Sequence, residues 1–148
     1  MTKPVTPSQP PRFATPEDAE AAFYDAIERA DLEAMMAVWS EDDEVVCTHP
    51  GGARLIGHAA VRAGWQSLFQ NSTRMMMRLS HQIAWNSAMM AVHNVVETLY
   101  IEDNETSHGP IVATNVYIRG PEGWHLLSHH ASSAATQVES HDPQRVLH

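Results

Sequence analysis

The stretch Asp42-Asp43-Glu44-Val45-Val46-Cys47-Thr48-His49-Pro50-Gly51-Gly52 is an apolar strand pattern that ends in a histidine and then turns. Pro50 fixes its own φ and biases His49 towards an extended backbone, and the two glycines permit a sharp reversal. A histidine placed where a strand gives way to a turn can face a cavity walled by other elements. An imidazole titrates near neutrality, so such a group can serve as acid, base or metal ligand. Three further polar residues lie inside otherwise apolar strand patterns: Glu97, Asn115 and His129.

Hairpin arithmetic brings these three together. If the chain turns about residue 106, Glu97 lies opposite Asn115 and Val95 opposite Tyr117. If it turns again about residue 122, Asn115 lies opposite His129 and Tyr117 opposite Leu127. Directly paired residues share a face of the sheet, so Glu97, Asn115 and His129 form a polar row across three strands. Adjacent strand residues face opposite ways, so His129 goes to the cavity and His130 to the other face, with Trp124, Leu126, Ser128 and Ser132. A one-residue register slip exchanges these roles. Such a row serves a ligand, satisfies its own buried carboxylate, or lies in a contact between subunits. Metal binding is disfavoured: no His-x-x-x-His falls in a helical pattern and there is no Cys-x-x-Cys, and His49, His129 and Glu97 make a facial triad only if three separate strands converge. His81, His93, His108 and His125 read as surface or locally paired residues. Cys47, the single cysteine, reads as a buried and inert thiol.

The elements that must hold these residues are legible from caps and periodicity. Thr15 caps a first helix with Pro16 at its first position, and Ala19, Ala22, Phe23, Ala26, Ile27 and Ala30 form its apolar stripe. Asp31 caps a second helix with the stripe Leu32, Met35, Met36 and Trp39. A third runs from about His58 to Gln70 and buries Val61, Trp65, Leu68 and Phe69. After Asn71 the period changes towards two, giving strands over 73–86, 89–102, 111–119 and 124–133 joined by turn-rich connections. Helices first and a meander afterwards predict an α+β fold, three helices on one face of a curved, mainly antiparallel sheet. Both strand parities are apolar, so something must cover the second face, and a homodimer through the sheet is the simplest cover.

The chain of 148 residues carries 43% apolar and 18% charged residues, the balance of a globular domain. Its net charge of −9, without any basic cluster, argues against nucleic acid and anionic membrane as partners. No segment has the apolar length of a membrane span and no secretory h-region is visible, so the expected compartment is the cytoplasm. Pro4, Pro7, Pro10 and Pro11 mark residues 1–14 as a flexible arm, and 136–148 as a polar tail that includes His141 and His148, leaving a single domain over 15–135.

The order helix, helix, strand, turn, helix, then long strands resembles the nuclear transport factor 2-like superfamily. The likeness spans Pro16 to Ser133. It is carried by Ala30-Asp31-Leu32-Glu33-Ala34, Trp39, Asp43 to Gly52, Gly57, and Gly123-Trp124 leading to His129-His130-Ala131-Ser132. Ala113-Thr114-Asn115-Val116 is similar to the SnoaL-like branch, which stands beside the ketosteroid isomerases. The resemblance implies a cone whose cavity mouth lies near His49, walled by Trp39 and Tyr117. It places His49 where isomerases keep an acidic proton-shuttling base, and Asn115 near their oxyanion-stabilising acid. Glu97 and His129 would then orient these groups or contact ligand. The family's helix tyrosine falls at Phe23, with Tyr24 one step away on a different face, which removes the hydroxyl donor that steroid isomerisation uses. The function implied is proton transfer next to a carbonyl on a small apolar or carbonyl-containing molecule, with no cofactor and no metal. A ligand-binding or oligomerisation domain without catalysis is the alternative.

Overall fold

The computed structural model describes residues 12–71, 75–101 and 104–135. The extreme arm, the polar tail and the expected strand start at Thr73 lie outside the described residues. Helix α1 spans Pro16–Arg29. The Thr15 hydroxyl accepts the Asp18 N–H at 3.0 Å, and Ala30 ends the helix in the left-handed region at φ 50. Asp31 then caps α2, Leu32–Val38, by accepting the Ala34 N–H at 3.0 Å. Strands β1, Val46–Thr48, and β2, Arg54–Ile56, form a short hairpin before α3, His58–Gln70. Four long strands follow: β3, Met75–Asn86; β4, Met90–Ile101; β5, Asn104–Gly120; and β6, Gly123–Ser133.

The six strands make one sheet in the order β2-β1-β6-β5-β4-β3, antiparallel except where β1 runs parallel to β6. The α+β architecture expected from the sequence is the one observed. Along β4 the buried residues Ala91, His93, Val95 and Glu97 alternate with less buried ones, as one helix-covered face requires. Phe13, inside the expected arm, is buried, and its carbonyl accepts the Trp124 N–H at 2.8 Å. Leu68, expected in the core, is 40% exposed, while Val61 and Trp65 are buried as the periodicity of α3 predicts.

Three register features depart from the simple arithmetic. The β4–β5 turn is tighter than expected and is followed by two irregularities, so Glu97 faces Ile111, Val95 faces Ala113, and His93 faces Asn115. In β6 a bulge at Leu127 sets Tyr117 opposite Leu126 while Asn115 keeps His129. That bulge reverses the parity of the strand, so Trp124 and Leu126 share the buried side with His129 and Ala131, and His130 is exposed. A third bulge breaks β3 between Ser80 and Ile83, where His81 has φ 53. The opposite face and the β3–β4 tip leave Met76, Ile83, Trp85, Met89 and Met90 exposed.

Candidate functional site

One row crosses four strands on the helix-covered face: His93 of β4, Asn115 of β5, His129 of β6 and Cys47 of β1 are register partners in sequence. Glu97 was expected opposite Asn115 and is not. The shift between the two registers is even, so Glu97 stays on the same face, and Tyr24 of α1 bridges the gap. The Tyr24 hydroxyl donates to Glu97 Oε2 at 2.7 Å and accepts from Asn115 Nδ2 at 2.9 Å. Asn115 Oδ1 lies 2.5 Å from His129 Nδ1. An amide oxygen only accepts, so Nδ1 carries the proton and the bonds run in one direction, from His129 through Asn115 and Tyr24 to Glu97. The expectation that the helix tyrosine is lost is therefore corrected: Phe23 packs against the His129 ring at 5.0 Å, and Tyr24 supplies the hydroxyl.

His49 stands at the end of this chain. Its carbonyl accepts the Gly52 N–H at 2.8 Å, with Pro50 second in the turn and Gly51 third at φ 71, which is the backbone pattern of a type II turn. The turn folds the half-buried imidazole inward. Its ring meets Trp65 edge-on at 4.6 Å and His129 at 6.3 Å, and Nε2 lies 3.7 Å from Cys47 Sγ.

Burial dominates the electrostatics here. It raises the Glu97 carboxyl to about 7, against a smaller lowering from the Tyr24 bond. It lowers His129 to about 3, helped by the nearby charges of His49 and His130, and it lowers His49. Burial also holds the Tyr24 phenol far above its ordinary range and pushes the Cys47 thiol up to about 12, with the Trp65 indole opposing it. At neutral pH the imidazoles are thus uncharged bases and Glu97 is poised to hold or release a proton.

A second buried polar group lies further towards the start of α1. Glu20 accepts from Gln82 Nε2 at 2.5 Å, from His93 Nδ1 at 2.6 Å and from the Tyr117 hydroxyl at 3.4 Å. His93 is fully buried, which overturns its reading as a surface or locally paired residue. Its parity with Glu97 along β4 was the available signal. Tyr117, expected as a wall near His49, belongs to this group by its hydrogen bond. Trp39 packs edge-on against Phe23 at 6.5 Å and also lines a groove of about 790 Å³. That groove runs between the end of α2, the start of α3 and the β5–β6 turn, with Glu41, His58, Glu122 and His125 along it. His49, Glu97, Asn115 and His129 do not line it. Among the described residues no three His, Cys, Asp or Glu side chains are grouped to hold a metal, and none of the described helices is long and apolar enough to cross a membrane.

Comparisons with known proteins agree with this architecture. The model of the SnoaL-like domain matches residues 17–136. A solved structure from Thiobacillus denitrificans, proposed to be a calcium/calmodulin-dependent protein kinase type II association domain, is 45% identical. The match covers 84% of this chain and 99% of that one, with a TM-score of 0.77. A proposed dehydratase of the NTF2-like family from Streptomyces avermitilis is 30% identical over 80% of this chain and 92% of its own, with a TM-score of 0.73. A proposed ketosteroid isomerase from Parabacteroides distasonis, 18% identical with a TM-score of 0.65 over 82% of this chain and 89% of that one, shares the fold. Among curated proteins, the F-box protein SKIP8 of Arabidopsis thaliana is 28% identical over 117 residues, which is 74% of this chain. The chain spans 46% of the length of that relative.

Proposed function

Because the chain belongs to the SnoaL-like family of the nuclear transport factor 2-like superfamily, we propose that it binds a small carbonyl-containing molecule and moves a proton at the carbon beside the carbonyl. The observation that carries this reading is the directional chain His129–Asn115–Tyr24–Glu97, which ends on a carboxyl raised to about 7 and lies beside a neutral His49. His49 Nε2 takes the proton, and the electron pair moves to the carbonyl oxygen. The protonated Glu97 carboxyl, ordered by Tyr24, donates to the enolate that forms. Asn115 is engaged at both ends of its amide and acts through Tyr24. Return of the proton to a different carbon is isomerisation. Loss of a β-hydroxyl as water is dehydration, and attack on a second carbonyl carbon is cyclisation. No step requires a cofactor.

Deuterium exchange at the α-carbon of 2-tetralone in D2O, followed by proton NMR, tests this reading. We expect His49→Asn to slow exchange by ~10²-fold or more, with affinity changed less. Equal exchange by the wild type and by His49→Asn would refute the assignment of the base.

A second reading, an assembly domain, is favoured by a separate observation: Met76, Ile83, Trp85 and Met90 sit exposed on or beside the sheet face opposite the helices, and the Thiobacillus relative at 45% identity is a proposed association domain. A homodimer through this face would bury on the order of 1,000 Å² or more. Sedimentation velocity at micromolar concentration checks it. A monomer there would refute this reading and leave proton transfer standing.

A further inference from the structure

Helix α1 is tied to the sheet at two points on one face. Glu20 is held by Gln82 of β3, His93 of β4 and Tyr117 of β5, so three strands supply donors to one carboxylate. Four residues on, Tyr24 is held by Glu97 of β4 and Asn115 of β5. Four residues advance the helix by about 6 Å and return to the same side. The two attachments are therefore fixed relative to one another by the helix itself.

The rest of the contact is poorly suited to set that position. Phe23 and Ile27 pack α1 into the core, but Ala19 and Ala26 add few steric keys along its length, and apolar burial is non-directional. Hydrogen bonds do discriminate, because they weaken steeply outside a narrow range of distance and angle. The polar attachment is also specifically built. Gln82 follows His81 in the β3 bulge, and at this irregular point its amide reaches α1. Glu20 and His93 are both buried. His93 Nε2 has no hydrogen-bond partner, and the Glu17 carboxylate lies 3.8 Å away. Of the two α1 carboxylates beside this ring, only Glu20, at 2.6 Å, is within hydrogen-bond distance, so that bond is the one that ties His93 to the helix.

We propose that Glu20, His93 and Gln82 are positioning residues: their clamp sets α1 along the sheet and thereby seats the Tyr24 hydroxyl between Glu97 and Asn115. The clamp deepens the proton-transfer reading and rests on the site role given there to Tyr24 and Glu97.

The test needs neither ligand nor turnover. Protein labelled with ¹³C at the glutamate carboxyl is titrated by NMR, and the Glu97 resonance is assigned with Glu97→Gln. Tyr24→Phe supplies the reference: removing the bond that lowers the Glu97 carboxyl should raise its midpoint. Glu20→Gln and Gln82→Ala should raise the same midpoint by at least half of that reference shift, with the fold retained. Tyr117→Phe, which removes a single long bond, replaces Glu20→Gln if that variant does not fold. A wild-type Glu97 midpoint in folded Glu20→Gln and Gln82→Ala proteins, with Tyr24→Phe shifted, would overturn the clamp alone. An unmoved midpoint in Tyr24→Phe would overturn both the clamp and the reading of the site on which it rests.

Discussion

Glu97 and His129 pull stability in opposite directions across mildly acid pH, and replacing either one should unmask the other. Glu97 rises on folding from the ordinary carboxyl value of 4.5 to about 7. The folded state therefore binds its proton more tightly than the unfolded chain, and stability is lost as pH rises through that interval. His129 falls from 6.5 to about 3. Here the unfolded chain binds the proton more tightly, so stability is lost as pH falls through that interval. The windows overlap between pH 4.5 and 6.5. Each group contributes a slope of about 1.4 kcal/mol per pH unit there, with opposite sign.

In the wild type the two slopes offset one another, and their joint contribution is nearly flat. Glu97→Gln keeps an acceptor for Tyr24 but cannot titrate, so His129 is left unopposed. Over two pH units the variant should lose about 3 kcal/mol relative to wild type on going from pH 6.5 to 4.5. His49, also lowered by burial, acts in both proteins and drops out of the difference. Urea unfolding followed by tryptophan fluorescence at several pH values gives the free energies. The mirror experiment, His129→Asn, should leave a protein that gains stability relative to wild type as pH falls over the same interval. A constant difference between wild type and Glu97→Gln from pH 4.5 to 7.5 would refute the argument, because Glu97 would then not titrate within that range.

Two further outcomes follow from the packing. A Cβ at Gly123, where φ is 105, would sit 2.6 Å from the Phe13 carbonyl oxygen that accepts the Trp124 N–H. Gly123→Ala should cost roughly 2–3 kcal/mol in urea unfolding, from strain together with displacement of the Phe13 strap. Gly51→Ala has a similar backbone sign at φ 71 but nothing within 4 Å, and should cost only about 1 kcal/mol; equal losses would contradict the account of the strap. Cys47, fully buried and with its thiol pushed up to about 12, should resist iodoacetamide at pH 8 in native protein and react in urea. Rapid stoichiometric labelling of the native chain would show an opening at β1 that this packing does not contain.

How far the sequence reveals this site depends on which interactions are local. The pairing of Asn115 with His129 agrees with a turn about residue 122 only because two offsets cancel: the turn pairs Gly120 with Gly123, one residue tighter, and the bulge at Leu127 restores the difference. The pairing of Glu97 finds no such cancellation, because the β4–β5 hairpin closes at Ile101 and Asn104 and then slips twice. Its face survives because the residue that does pair with Asn115, His93, lies an even four positions from Glu97 on the same strand. His93 was open to the same parity reasoning, since it alternates with Ala91, Val95 and Glu97, yet a histidine in a strand carries no mark of burial by itself. Tyr24 and Glu20 are harder still. Their four-residue spacing puts them on one side of α1, but the alanine-rich stripe beside them already accounts for a buried face. What pulls the polar pair inward is a set of hydrogen-bond partners on β3, β4 and β5, residues more than sixty positions away in the chain. One of those partners, Gln82, reaches α1 from a bulge with no glycine to announce it. Local caps and periods therefore specify where the helices and strands lie. The polar contacts between α1 and the sheet exist only once those elements have docked, and it is there that the candidate chemistry of this chain is held.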